Sequence, residues 1–243
     1  MSQTVFRIVP DITDDWSIYD TATKHVPFSW EHVFEKADDE LQLVSEVVAN
    51  KERLCGKISY PPRSLVFEAF HRVRLEDVKV VIVGQDPYYN GTAVGLAFSM
   101  KRERRASPSL KNIYKEIRRT HPEFTAPDHG DISEWCNQGV LLLNRALTVQ
   151  PDKPKSHVGE WSGFTRRVVE AICEHNPHVV FMMWGADAKK VEEFMTGRPL
   201  KLMCGHPSPQ NRKRDFYGND HFKLANEHLK KKGFEPIDWQ LSS

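Results

Sequence analysis

The chain lacks most of the short signatures by which a function is read. Its 243 residues include only 4 cysteines, Cys55, Cys136, Cys173 and Cys204, and no two form a CxxC pair. Zinc-ribbon and iron–sulfur arrangements are thereby excluded, and a disulfide framework suits a chain of this length poorly. A reducing, intracellular compartment is expected. No apolar run approaches the roughly 20 residues that a membrane helix needs. The N-terminal stretch MSQTVFRIVPDITDDW has no basic start followed by an apolar block, so no secretory signal is expected, and nucleus and cytoplasm both remain open. Excess charge is missing too: Lys+Arg number 34 against 33 Asp+Glu. There is no internal repeat and no low-complexity tract. HExxH, GxxxxGK[ST] and GxGxxG are absent, and GHPSP lacks the GxSxG form of a hydrolase elbow. No metal site and no cofactor are expected.

What is present describes a globular domain. Hydrophobic residues make up 40% and charged residues 28%, enough for one sizeable core. The even charge total hides an asymmetry. Residues 1–50 carry three basic and ten acidic side chains, a net of −7. Residues 101–119 carry eight basic and two acidic, a net of +6, and residues 201–232 eight and three, a net of +5. One such run usually marks a solvated helix face; two in a neutral protein favour a polyanionic partner. Residues 1–27 are acidic and weakly patterned and are expected to form a loosely ordered arm ahead of one domain at 28–243.

Four short apolar runs stand out: Val78–Val83, Val140–Leu143, Val179–Met183 and Leu200–Cys204. The first and third are rich in β-branched residues, as strands buried on both faces tend to be. Apolar spacing of three to four predicts helices at 30–50 and 62–72, and helix-like segments at 108–119, 160–175 and 186–196 lie between the runs. The alternation predicts an α/β domain: a central four-stranded parallel twisted sheet with helices on both faces. Each run leads into a distinctive loop, GQDPYYNG, Asn144, WGADA and GHPSP. Ligands of open parallel sheets bind outside the carboxyl ends of the strands. One cleft should therefore hold Gln85, Asp86, Tyr88, Asn144 and His206.

Each of these residues also has a plainer reading. Asp86 before Pro87 suits a turn, or it is a carboxylate that orients water and opposes a developing cation. Asn144 suits a strand end, or its amide, one donor and one acceptor face, reads the edge of an amide-like ring. Phe98 suits the core or a stacking platform, and Tyr88 a half-buried aromatic. His206, in a Pro/Ser loop, is poorly placed for a core histidine. Ser109 and Ser208 suit helix caps, or hydroxyls that hold phosphate.

Taken in order, GQDPY (Gly84–Tyr88), GLAFS (Gly95–Ser99), GVLLLN (Gly139–Asn144), WG (Trp184–Gly185) and HPSP (His206–Pro209) resemble the family-1 uracil-DNA glycosylases. PSLKNIYKEI, Ser156–His157, HF…AN and the Pro236–Trp239 tail extend the likeness over roughly residues 28–240. The resemblance implies hydrolysis of the N-glycosidic bond of a flipped deoxyuridine, leaving an abasic site, without metal or cofactor. It implies Asp86 and His206 as catalytic residues: the acid positions water, and a neutral imidazole donates to uracil O2. It implies uracil binding by the Gln85 backbone, Tyr88, Phe98 and Asn144, with Tyr88 crowding the C5 position against thymine. Ser109, His157, Gly185 and Ser208 would touch the DNA backbone. Gln210 and Arg212 stand as candidates for the wedge that enters the base stack.

Four positions depart from the family pattern. Tyr89 stands for a histidine, Ser107 for a proline, Ala186 for a hydroxyl-bearing residue and Gln210 for a leucine wedge. Intercalating wedges are typically apolar. Activity on duplex weaker than on single strands, with strong salt sensitivity, is therefore expected. The implied partner is uracil-containing DNA, single- or double-stranded, with replication proteins or a proteinaceous inhibitor as further candidates. A monomer with no membrane attachment is expected. Two other readings compete. One is a DNA-binding scaffold or replication accessory with secondary glycosylase activity; the other is a glycosylase of shifted base preference, which Tyr88 and Asn144 oppose.

Overall fold

The computed structural model describes residues 12–243. Its centre is a sheet of β1 (Val80–Gly84), β2 (Val140–Asn144), β3 (Val180–Trp184) and β4 (Leu200–Cys204). All neighbours pair in parallel, in the order β2-β1-β3-β4. Every residue of β1, β2 and β3 is buried, whereas the edge strand β4 alternates exposure. Unbroken apolar sequence is what a strand covered on both faces requires. The fold expectation is thus met, with small boundary changes. The first strand starts at Val80, because Val78 closes a 3-10 turn over Leu75–Asp77 by donating its N–H to Leu75 O.

The helices gather in two groups. One holds α2 (Glu31–Lys36), α3 (Asp38–Cys55) and α6 (Ser162–His175); the other pairs α5 (Pro108–Thr120) with α8 (His221–Lys231). A short α4 (Glu68–Arg72) packs on β2. The first group seals its side of the core with aromatics in edge-to-face contact: Trp30 on Phe70 at 5.0 Å and Phe34 on Phe164 at 5.2 Å. Such pairs add about 0.5–1.5 kcal/mol each beyond the area they bury. Phe222 of α8 packs in an aromatic cluster with Trp135, Trp184 and Trp239.

Four expectations are corrected. The helix expected over 62–72 is a 3-10 turn at Arg63–Leu65 followed by the five-residue α4. The helix expected over 30–50 is two helices broken at the buried Ala37, whose backbone leaves the helical region. The helix expected over 186–196 is one turn, α7 (Ala186–Lys189), continued as a 3-10 helix. The stretch 1–27, expected to be a loose arm, is ordered over part of its length. Ile18–Lys24 forms helix α1, opened by a Ser17–Asp20 capping box and closed by an Asp20–Lys24 ion pair. Ile18, Thr21 and Ala22 are buried, and Ser45 of α3 accepts the Tyr19 N–H. The rest of that arm, residues 1–11, lies outside the described residues. No helix among the described residues is long and apolar enough to cross a membrane.

Candidate active site

In the order β2-β1-β3-β4 the chain leaves β1 toward β2 and later recrosses to β3. The loops after β1 and β3 therefore part in opposite directions, and a crevice opens between them at the carboxyl ends of the strands. A cavity of about 840 Å³ lies there. It is built from four loop regions, one after each strand.

The floor depends on a glycine. Gly84 ends β1 in register with Asn144, the last residue of β2. A Cβ on Gly84 would lie 2.2 Å from Asn144 Oδ1. Only the bare backbone lets the Asn144 amide lie over the strand end, buried yet lining the cavity. Beside it, Asp86 Oδ2 accepts the Lys155 N–H at 2.6 Å, and Oδ1 accepts from Gln85 Nε2 at 2.5 Å. Burial pushes the Asp86 carboxyl above its ordinary range, against the opposing pull of the Lys155 N–H.

The aromatic wall is held by one hydroxyl. Tyr88 donates toward Phe98 O at 3.2 Å and lies 2.9 Å from Ser107 Oγ. Burial raises its pKa, so it stays protonated. Phe98 has φ of 62°. A bulky residue in the left-handed region is rare and tends to mark a functional site. Its ring lies 5.5 Å from Trp184 and 6.0 Å from His206, a half-buried plate at the cavity.

His206 completes the site from the loop after β4. Its Nδ1 accepts the Ser208 N–H at 2.9 Å. In the neutral ring the proton is therefore on Nε2, leaving that N–H as the available donor. Burial lowers the His206 pKa, opposed by the Asp187 carboxylate. Gly185, at φ 93°, passes so near that a Cβ there would meet His206 Cβ at 3.1 Å.

Helix α5 ties the surrounding loops together. Ser107 caps it by accepting from Leu110 N. Asn112 donates to Pro207 O at 2.7 Å. One turn further, the fully buried Glu116 accepts the backbone N–H of Gly218 at 2.7 Å and of Asp220 at 3.0 Å. Ser109 lies in the first turn of α5 itself, and the loop bearing Ser208 is tied to that same rigid element.

Of the residues singled out in the sequence, Gln85, Asp86, Tyr88, Phe98, Asn144, His206, Ser109, Gly185, Ser208 and Gln210 line this cavity. Arg212 is exposed on the same loop as Gln210 but does not line it. His157 is corrected as a backbone contact. It is fully buried, its Nδ1 is 3.0 Å from Thr148 Oγ1, and Trp161 bonds the same hydroxyl. Its neighbour in sequence, Lys155, is the residue that reaches the site. Sequence reasoning missed Lys155, Asn112 and Glu116. Only the φ of 66° at Lys155 and the burial of Glu116 betray them, and neither is visible in sequence.

An amide, a shielded acid, an aromatic plate and an N–H donor thus face one cavity at the parallel strand ends of an α/β domain. A family profile described as "Uracil DNA glycosylase superfamily" matches residues 70–230. The uracil-DNA glycosylase of Dichelobacter nodosus is 46% identical over 76% of this chain and 82% of its own length. That of Francisella philomiragia is 44% identical over 85% and 96%. The crystal structure of mimivirus uracil-DNA glycosylase superposes with a TM-score of 0.83 at 25% identity, covering 90% of this chain and 89% of that one. A mimivirus variant solved in complex with UGI gives 0.81. The chain belongs to the uracil-DNA glycosylase family.

Proposed function

We propose that this chain excises uracil from DNA with the following division of labour. Deoxyuridine is flipped from the stack into the cavity, because its glycosidic bond is out of reach inside a duplex. The ring lies on Phe98. The Asn144 amide pairs with N3–H and O4. Tyr88, fixed by its bonds to Phe98 O and Ser107, stands against C5 and rejects the methyl of thymine. Asp86, ionised, orients a water at the anomeric carbon and stabilises the cationic sugar. His206 donates Nε2–H to O2 as negative charge gathers on the leaving base. A fixed donor of this kind is worth about 3–4 kcal/mol. The products are free uracil and an abasic site.

The observation that carries this reading is the Asn144 amide over Gly84, in one cavity with Asp86 and His206 Nε2. The chemistry needs a base reader, an acid and an oxyanion donor around a single ring, and this cavity offers all three.

Ser109, Gly185 and Ser208 hold the flanking phosphates, with Arg212 and Gln210 where the gap in the stack must be filled. We infer action on both single and double strands, by a monomer. The mimivirus complex motivates UGI as a ligand for the same face. The test is incubation with a deoxyuridine oligonucleotide in EDTA, scored by alkali-labile sites. Cleavage at uracil and none at a thymine control supports the reading. Failure to release uracil, or equal release of thymine, overturns it.

A further inference from the structure

We propose that Lys155 is a positioning residue for Asp86: its ammonium, clamped on Asp187, fixes the backbone N–H that the Asp86 carboxylate accepts. The inference rests on the role given to Asp86 above and names what holds that acid in place.

Three loops meet here, each from a different strand. Asp86 follows β1, Lys155 lies between β2 and α6, and Asp187 opens α7 after β3. The Lys155 N–H donates to Asp86 Oδ2 at 2.6 Å, and its Nζ donates to Asp187 Oδ2 at 2.7 Å. One residue thus bridges the two loops that flank the crevice. Its backbone has φ of 66°, a conformation that glycine adopts freely and that a side chain resists. Turning that peptide out of the left-handed region would swing its N–H away from Asp86. The distant clamp opposes this turn.

Asp187 is itself held. Its Oδ1 faces Arg145 Nη1 at 3.8 Å and Lys190 Nζ at 3.4 Å. The Arg145 guanidinium is buried directly after Asn144, and its Nε and Nη1 have no hydrogen-bond partner among the described residues. A buried guanidinium needs a counter-charge, and Asp187 is the carboxylate beside it. The clamp therefore has a fixed base, set by the same strand end that presents the base-reading amide. The Lys155 side chain is 59% exposed, so its ion pair alone contributes little to stability. What it supplies is geometry at an acid whose placement sets the rate.

The competing role for an exposed lysine at this edge is a direct contact to a DNA phosphate. The two roles separate in kinetics. Lys155→Met keeps the backbone N–H and removes the clamp. We expect kcat for uracil release to fall about tenfold with KM within about twofold, as for misplacement of a reacting group. Lys155→Arg, which can still reach Asp187, should restore kcat to within about twofold. Asp187→Asn should lower kcat as Lys155→Met does, and the double variant should be no worse, because both break one unit. Asp187→Asn also strips Arg145 of its partner, so its melting temperature is measured alongside; Lys155→Met, at an exposed site, tests the idea without that burden. A KM that rises with kcat unchanged, accompanied by a shallower salt dependence, assigns Lys155 to phosphate and overturns the proposal. So does wild-type kcat in Lys155→Met. If Asp86→Asn retains full base release, the reading of Asp86 itself fails. If Asp86→Asn is inactive and Lys155→Met is not, only the clamp fails.

Discussion

At the scale of single residues, the site is governed by close approaches that leave no room for substitution. Gly84→Ala would drive a methyl into the Asn144 amide oxygen, 2.2 Å from the new Cβ. Because that oxygen belongs to the proposed base reader, uracil release should fall by about 100-fold. DNA binding, measured by anisotropy on an abasic-site duplex, should change little. The titrating groups give a second prediction. Burial raises Asp86 and lowers His206. The proposed mechanism needs Asp86 ionised and His206 neutral. Both conditions fail on the acid side, so kcat should drop as pH falls through the raised Asp86 pKa and the lowered His206 pKa and stay level above both to neutral pH. A pH–rate profile of Asp86→Asn, at its residual rate, should lose the Asp86 part of that limb and keep the part set by His206.

Helix α5 is the element on which the DNA-facing loops depend. Glu116 has three tasks: it accepts from Gly218 N, from Asp220 N and from Arg119. Glu116→Ala would leave two backbone donors without their acceptor and Arg119 with Asp220 alone, at a cost of about 2–4 kcal/mol. For a domain of this size the melting temperature should fall by about 5 °C or more, with weaker binding of DNA through the displaced Ser208 loop. The sequence discloses less at this scale than at the others. The strands were legible because VVIV, VLLL and VVFMM leave no polar face, and their loops converge by topology alone. Asp86, Asn144 and His206 were legible for that reason. Helix α8 was not anticipated, since its buried positions, His221, Phe222, Ala225 and Leu229, are few among lysines. The Lys155–Asp187 clamp was not anticipated, since it joins loops 32 residues apart through a backbone angle that no pattern encodes. His157 was misplaced because Ser-His before a helix looks like a surface motif, whereas Thr148 and Trp161 draw the ring inside.

For the whole molecule, charge is the proposed means by which DNA is held. Arg212, Lys213 and Arg214 form no ion pair among the described residues and are exposed on the loop that carries Gln210. Cations without protein partners are free to displace counterions from phosphate. Replacing all three by Ser should reduce the slope of log binding constant against log salt by about 2–3. Gln210→Leu should raise the rate on duplex more than on single strands, since only the duplex stack needs filling; equal rates on both would contradict a wedge role. Stability should also fall in acid. Burial pushes His157 and His221 down to about 4, below the unfolded value near 6.5. Between these values the unfolded chain binds more protons, so stability is greatest above pH 6.5 and declines as pH falls toward 4. Urea midpoints at pH 7 and pH 5 check this.

The central claim is that an acid, an amide and an imidazole act on one flipped uracil. Single-turnover uracil release by Asp86→Asn, Asn144→Ala and His206→Ala, with DNA affinity measured in the same samples, tests it most directly. Each variant should lose about 100-fold or more in release while binding uracil-containing DNA within about tenfold of the parent. Release at the parental rate in any one of the three would show that its side chain is outside the reaction.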